Sequence, residues 1–145
     1  MKRDSRGFSL LELLIVVAII LIIATIAIPS LLRSRQAANE SGAVADLRTI
    51  NTAEVSYQSS AQGSFGTISQ LVGAGLLDGR FSAGAVGGYN YSIAVDPTGT
   101  VFTSFAEPAS TNNGRYGYYS IPDGLVRWAT TASEAPVGMA GSPVQ

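Results

Sequence analysis

Neither cysteine nor histidine occurs anywhere in the 145 residues. Without cysteine there is no disulfide staple, no thiolate metal site and no thiol for a lipid anchor. Without histidine the commonest general base and the commonest neutral metal ligand are missing. Together the two absences remove the material for zinc sites and for the usual nucleophile–base pairs. Charge is sparse as well: nine basic and ten acidic side chains leave a net of −1, which offers no general attraction to nucleic acid. The acids Asp78, Asp96, Glu107, Asp123 and Glu134 are scattered, and most sit beside glycine or proline, where turn formation accounts for them. No Asp-x-Asp-x-Asp-Gly loop is present, so calcium would need an irregular loop, and the candidate acids fall in tight hairpins. No catalytic, cofactor or metal site is expected, and the chain does not read as an enzyme.

What the chain does have is a join near its start. Arg6-Gly7-Phe8-Ser9-Leu10-Leu11-Glu12-Leu13-Leu14 leads directly into an apolar run, and across residues 10–28 only Glu12 is charged. That length is about enough to cross a bilayer core as a helix. A carboxylate on such a segment costs about 2.5 to 3.5 kcal/mol at mid-membrane, less near the interface, and calls for a partner. Lys2, Arg3 and Arg6 against Asp4 make the leader positive and favour keeping it in the cytoplasm, although Arg33 and Arg35 follow the run on the other side. An ordinary secretory signal would need small residues after the core. Thr25-Ile26-Ala27 is a poor site with Pro29 close behind, and Glu12 is out of place in a signal core. A plain anchor has no use for Gly7-Phe8 or Glu12.

Over about the first 30 residues this pattern resembles the class III signal of the type IV pilin and type II secretion pseudopilin superfamily. The resemblance implies that a prepilin peptidase cuts between Gly7 and Phe8 and N-methylates Phe8. It also implies that Glu12 guides assembly by attracting the N-terminal amine of a neighbouring subunit, and that Pro29 kinks the helix. Partners implied are further copies of the chain through their N-terminal helices, the peptidase, an inner-membrane assembly platform, and membrane lipid before assembly. Nucleic acid is not expected. The subunit would wait in the inner membrane with its N-terminus cytoplasmic, then enter an extracellular or periplasmic filament. Loss of residues 1–7 leaves six basic and nine acidic side chains, a net of −3. The absence of cysteine departs from many type IV pilins, whose C-terminal loop is closed by a disulfide.

Beyond a leader at 1–7 and a transmembrane or polymerisation helix at 8–29, an amphipathic helix is expected at 30–58. Pro29 should bend the helix, and Ser41-Gly42 is a second weak point. Val44, Leu47, Ile50 and Tyr57 fall on one face, while Arg33, Arg35, Glu40, Asp46, Arg48 and Glu54 are assigned to the polar surface. A globular head is expected over 59–128. Within it Thr67-Ile68-Ser69-Gln70 has capping-box spacing, so Leu71, Val72, Leu76 and Leu77 pack one face of a short helix ended by Asp78-Gly79. Gly73-Ala74-Gly75 is no nucleotide loop, because Asp78 takes the third glycine position and no strand precedes it.

From Tyr89 the period changes to two. Tyr89, Tyr91, Ile93 and Val95 alternate with polar or small residues, Asp96-Pro97-Thr98-Gly99 turns the chain, and Val101, Thr103 and Phe105 line a face of the returning strand. Residues 116–121 and 125–128 flank Pro122-Asp123-Gly124 as a second hairpin. The expected fold is therefore α+β: a long N-terminal helix packed on a four-stranded antiparallel sheet, followed by a flexible tail at 129–145. Phe105-Ala106-Glu107-Pro108, Tyr116 to Tyr119 and Asp123-Gly124 are similar to elements in the heads of disulfide-free pilins and pseudopilins. Arg115 with Tyr116, Tyr118 and Tyr119 could stack on single-stranded nucleic acid, but alternating aromatics in a hairpin are more often sheet packing. Asn39-Glu40-Ser41 and Asn90-Tyr91-Ser92 match a glycosylation sequon, a common chance tripeptide. The reading is a structural filament subunit. The alternatives are a type II secretion pseudopilin and a membrane-anchored binding protein that never polymerises.

Overall fold

A computed structural model describes residues 8–129 and 141–144, and the chain divides into two units, Met1–Ser34 and Arg35–Gln145. Helix α1, Leu10–Ser60, contributes to both. In the first unit no described residue is buried. Its apolar side chains have no protein to cover them, as expected of a segment whose solvent is not water. Pro29 lies inside α1 and leaves the carbonyl one turn earlier without its usual donor.

The second unit holds the hydrophobic core. Ala43, Val44, Leu47 and Ile50 on α1 pack with Leu71, Leu77 and Phe81 from the connection, and with Tyr89, Tyr91, Ala106, Tyr118 and Val126 from the sheet. The expected helix stripe is therefore the core face, with Tyr57 partly buried beside it. The polar assignment needs correcting at two positions: Glu40 and Glu54 are buried, 7% and 0% exposed, and not part of the polar surface. Both follow the phase of the stripe, Glu40 one turn before Val44 and Glu54 one turn after Ile50, so the helix carries them under the sheet. Gln62 and Gly63 have positive φ just past the end of α1, and the Gly63 N–H donates to the Gln58 carbonyl at 3.0 Å, closing the helix.

The short helix is present as α2, Ile68–Gly73, and Gln70 Oε1 accepts from the Thr67 N–H at 2.8 Å. It ends earlier than expected. Ala74 caps it, Leu71 and Leu77 are buried, and Leu76 stays 37% exposed. Asp78-Gly79 does not stop α2 but starts a 3₁₀ turn, Gly79–Ser82, in which Asp78 accepts from the Arg80 N–H at 2.8 Å.

The sheet has five antiparallel strands in sequential order: β1 Tyr89–Val95, β2 Phe102–Pro108, β3 Gly117–Ser120, β4 Val126–Ala129 and β5 Ser142–Pro143. The fifth strand is the difference from the expected four. The Val144 N–H donates to the Val126 carbonyl at 2.9 Å and Val144 packs against the core. Residues 142–144 thus dock on β4, whereas 130–140 and 145 of the expected tail lie outside the described residues.

Val101, Thr103 and Phe105 share a face, as expected, and the buried face of β2 is the other one, with Phe102, Ser104 and Ala106. The turn pairs Val95 with Phe102, and in a strand a shift of one residue moves every side chain to the other face. Ser104 has polar partners there: its hydroxyl lies 3.3 Å from the Ser120 carbonyl and 3.5 Å from Asn51 Oδ1, and the Asn51 amide in turn donates to the Ser120 hydroxyl at 2.7 Å. The turn itself forms as expected, with Gly99 at φ +73°. The Asp96 carboxylate accepts from the Thr98 hydroxyl and from the Val101 N–H at 2.8 Å, and those bonds hold its pKa down to about 2.

Candidate functional site

The candidate assembly residues lie at the start of α1. Gly7 and the rest of the leader lie outside the described residues, while Phe8 stands 77% exposed just before the helix. Ser9 and Glu12 form a reciprocal cap. The Ser9 N–H donates to Glu12 Oε2 at 3.1 Å, and the Leu11 N–H donates to the Ser9 hydroxyl at 3.3 Å. A helix start leaves backbone donors unpaired, and in an apolar solvent each of those is costly. Glu12 therefore meets part of its demand for a partner within its own chain. The Ser-x-x-Glu spacing carried this signal in the sequence, and only the equivalent spacing at Thr67 was read from it.

From Leu10 to Ile28 the side chains are apolar except at Glu12 and Thr25. Leu10, Leu13, Leu14 and Val17 line a shallow groove whose walls are almost wholly hydrocarbon. The helix is long and apolar enough to cross a membrane, and its apolar window is entirely uncovered by the protein. Glu12 is the one charged side chain across residues 10–28 of this surface.

In the second unit, the loop after β2 is fastened to α1. Gln36 donates to the Thr111 carbonyl and Asn39 to the Asn113 carbonyl, both at 2.9 Å. Glu40 receives the Arg115 N–H at 2.8 Å, its Nε at 3.1 Å and its Nη2 at 2.9 Å. Burial works against ionising Glu40, and the hydrogen bonds and charge of Arg115 outweigh it, so its carboxyl sits below the ordinary value. Asp46 accepts from the Tyr91 hydroxyl at 2.9 Å and from Arg80 at 3.1 Å, tying β1 and the 3₁₀ turn to the same helix. Burial, then the bond to Asp46, pushes the Tyr91 hydroxyl well above its usual pKa.

These contacts decide the aromatic cluster. Tyr118 and Tyr119 are buried, and Tyr116 packs on Trp128 with ring centroids 4.8 Å apart. Arg115 covers the Tyr116 ring at 5.2 Å while it is bound to Glu40. The cluster is sheet packing. Among the sequons, the Asn39 amide is engaged by Asn113, whereas Asn90 is exposed on β1. Among the described residues no three His, Cys, Asp or Glu side chains converge as a metal site would require.

Comparison with known proteins bears on the helix. Residues 2–28 match the family described as the prokaryotic N-terminal methylation motif. The chain is similar to the type IV wide pilus major component PilA4 of Thermus thermophilus, 45% identical over 56 residues, covering 39% of this chain and 43% of that protein. It is also similar to the type IV major pilin protein PilA of Myxococcus xanthus, 46% identical over 53 residues, covering 37% of this chain and 24% of that protein. The match thus spans less than half the length of either relative. No solved structure matches the chain at a significant level. The motif and both relatives support the type IV pilin family, a family of structural subunits, and the α+β fold with its long apolar helix agrees.

Proposed function

We propose that this chain is the structural subunit of a type IV pilus-like filament, cut by prepilin peptidase between Gly7 and Phe8 and N-methylated on Phe8. The observation that carries the reading is the exposed apolar first part of α1, interrupted by one carboxylate, Glu12, within the residues 2–28 that match the methylation motif. Before assembly the helix resides in the inner membrane with the N-terminus cytoplasmic and the head outside. Cleavage frees a primary amine at Phe8, and methylation makes it a cationic secondary amine, about one helical turn from Glu12. Opposite charges attract far more strongly in a low-dielectric setting than in water, although desolvation offsets much of the gain. Glu12 then exchanges its bond to its own Ser9 for the amine of a neighbouring subunit and sets axial register. Moving from lipid into a filament trades one apolar environment for another, so close packing of Leu10, Leu14, Val17 and their neighbours supplies the affinity. Pro29 lets the helix bend or unwind locally. The filament emerges from the inner-membrane assembly platform.

Intact-mass and N-terminal peptide mass spectrometry on protein from its native envelope tests the reading. The expected chain begins at N-methylated Phe8. A retained Met1 leader in a processing-competent host would point to a simple anchor. Glu12→Ala should be cleaved normally yet fail to assemble, and normal filaments from that variant would remove Glu12 from the assembly step.

A further inference from the structure

Glu54 is the one buried carboxylate in the described part of the head that has no basic partner. Its side chain is wholly inaccessible. Oε2 accepts a hydrogen bond from the Gly66 N–H at 3.0 Å, and Oε1 has no partner among the described residues. A carboxylate satisfied on one oxygen is costly to keep ionised away from water, whereas the neutral acid is tolerated far better. The group that Glu54 holds is the loop leaving α1. The Phe65 N–H of that loop donates to the Gly99 carbonyl at 2.8 Å, and the Phe65 ring meets Phe102 edge-on with centroids 4.7 Å apart. At Gly66 an added Cβ would stand 2.8 Å from the Tyr57 ring, so only glycine lets the backbone come down onto Glu54.

We propose that Glu54 is a proton-dependent latch for the loop at residues 61–67: closed while Glu54 is neutral, and opened when Glu54 ionises and its second oxygen draws in water. Burial drives the carboxyl above its ordinary value and the Gly66 N–H opposes this only in part. The sign follows from that direction. A carboxyl whose folded pKa is raised favours the closed state at low pH, and the contribution is lost as pH rises through the folded value. The surrounding groups leave the titration to Glu54 itself. Among the described residues no basic side chain forms an ion pair with Glu54, and the Tyr57 ring lies against Gly66. The β1–β2 turn that Phe65 binds carries Asp96, whose carboxylate is engaged within that turn and whose pKa is held down to about 2. Opening would uncover Phe65 and Phe102, a pH-gated apolar patch on the head. This device stands apart from the filament reading.

Amide hydrogen exchange on the full-length chain in detergent, from pH 5 to pH 9 and corrected for intrinsic rates, tests the latch. Protection at Phe65 and Gly66 should fall at least tenfold as pH rises in the wild type, while the Leu47 amide in the helix stays constant. In E54Q, which keeps an oxygen acceptor for Gly66, the loop protection should be flat across the range. A wild-type profile parallel to that of E54Q, or a fall shared by Leu47, overturns the proposal. Carbon-13 titration of the Glu54 carboxyl in the wild type needs no variant. A midpoint above the ordinary glutamate range supports the latch, and a midpoint within it overturns the latch.

Discussion

Leu47 and Val55 lie on the same helix two turns apart, and the structure assigns them opposite fates: Leu47 is fully buried in the core, and Val55 is 60% exposed. Replacing Leu47 with alanine removes three carbons from a closed environment. At roughly 0.8 kcal/mol per buried methylene the transfer term alone is about 2.4 kcal/mol. The cavity left behind raises the total into the range of about 2 to 5 kcal/mol, and alanine's better helix propensity returns only a few tenths. Domains of this size are stable by about 5 to 15 kcal/mol, so the loss is a large fraction of the whole. Each kcal/mol corresponds to about 4 to 8 °C in a domain near this size, so the Leu47→Ala midpoint should fall by about 8 °C or more. Val55→Ala should stay within about 0.5 kcal/mol of the parent. Thermal unfolding of the full chain in detergent, followed by near-ultraviolet circular dichroism of the tyrosine and tryptophan side chains, reads both. Equal effects at the two positions would refute the assignment of the core face of α1.

Two further predictions use single positions. Gly42 lies inside α1 with nothing within 4 Å of an added Cβ, so Gly42→Ala should stabilise the head by about 0.5 to 1 kcal/mol in the same melt. A loss of stability would mean that Gly42 is covered in the isolated subunit. Asp123 is held below the usual carboxylate range first by its hydrogen bond to Arg127, against some desolvation and with help from the Leu125 N–H. A depressed carboxyl contributes stability above its unfolded pKa and loses it as pH falls through the folded one. Asp123→Asn should therefore flatten the acid limb of a pH-stability curve below about pH 4 while changing the curve's shape little near neutrality. An unchanged acid limb would count against the pair.

The helix, its buried stripe, the capping box before α2 and both hairpins were legible in the sequence because each rests on periodicity or turn chemistry within a short window. The misassignments share a different origin. Glu40 and Glu54 look like surface residues by type, and their helical phase, shared with Val44 and Ile50, was the better guide. What satisfies Glu40 is Arg115, 75 positions away, which no local pattern announces. Which face of β2 is buried was not legible, because Ser104 is buried through Asn51 and Ser120, partners that lie far along the chain or on the next strand. Strand β5 carries two residues and follows Gly141, whose added Cβ would lie against the Tyr119 hydroxyl, so its docking is dictated by a distant surface. At the candidate assembly site the residue types and their order were readable directly. The pairing of Glu12 with Ser9 was readable too, by the same spacing rule applied elsewhere in the chain.

The separation between α1 and the residues that cover it also sets a timetable. Asn51 meets its partner Ser120 across 69 positions, and Glu40 meets Arg115 across 75. Contacts this distant along the chain form slowly, because a long loop must close before any of them is rewarded. During synthesis the apolar half of α1 is complete first, and Leu47 and Ile50 follow long before the strands that bury them. The newborn head therefore spends an interval with its core stripe naked, next to a segment that already favours lipid. On the proposed function, delivering that first half to a bilayer early would separate the two apolar surfaces while the sheet is still being made, and the timing of export would then be part of how this head avoids aggregation.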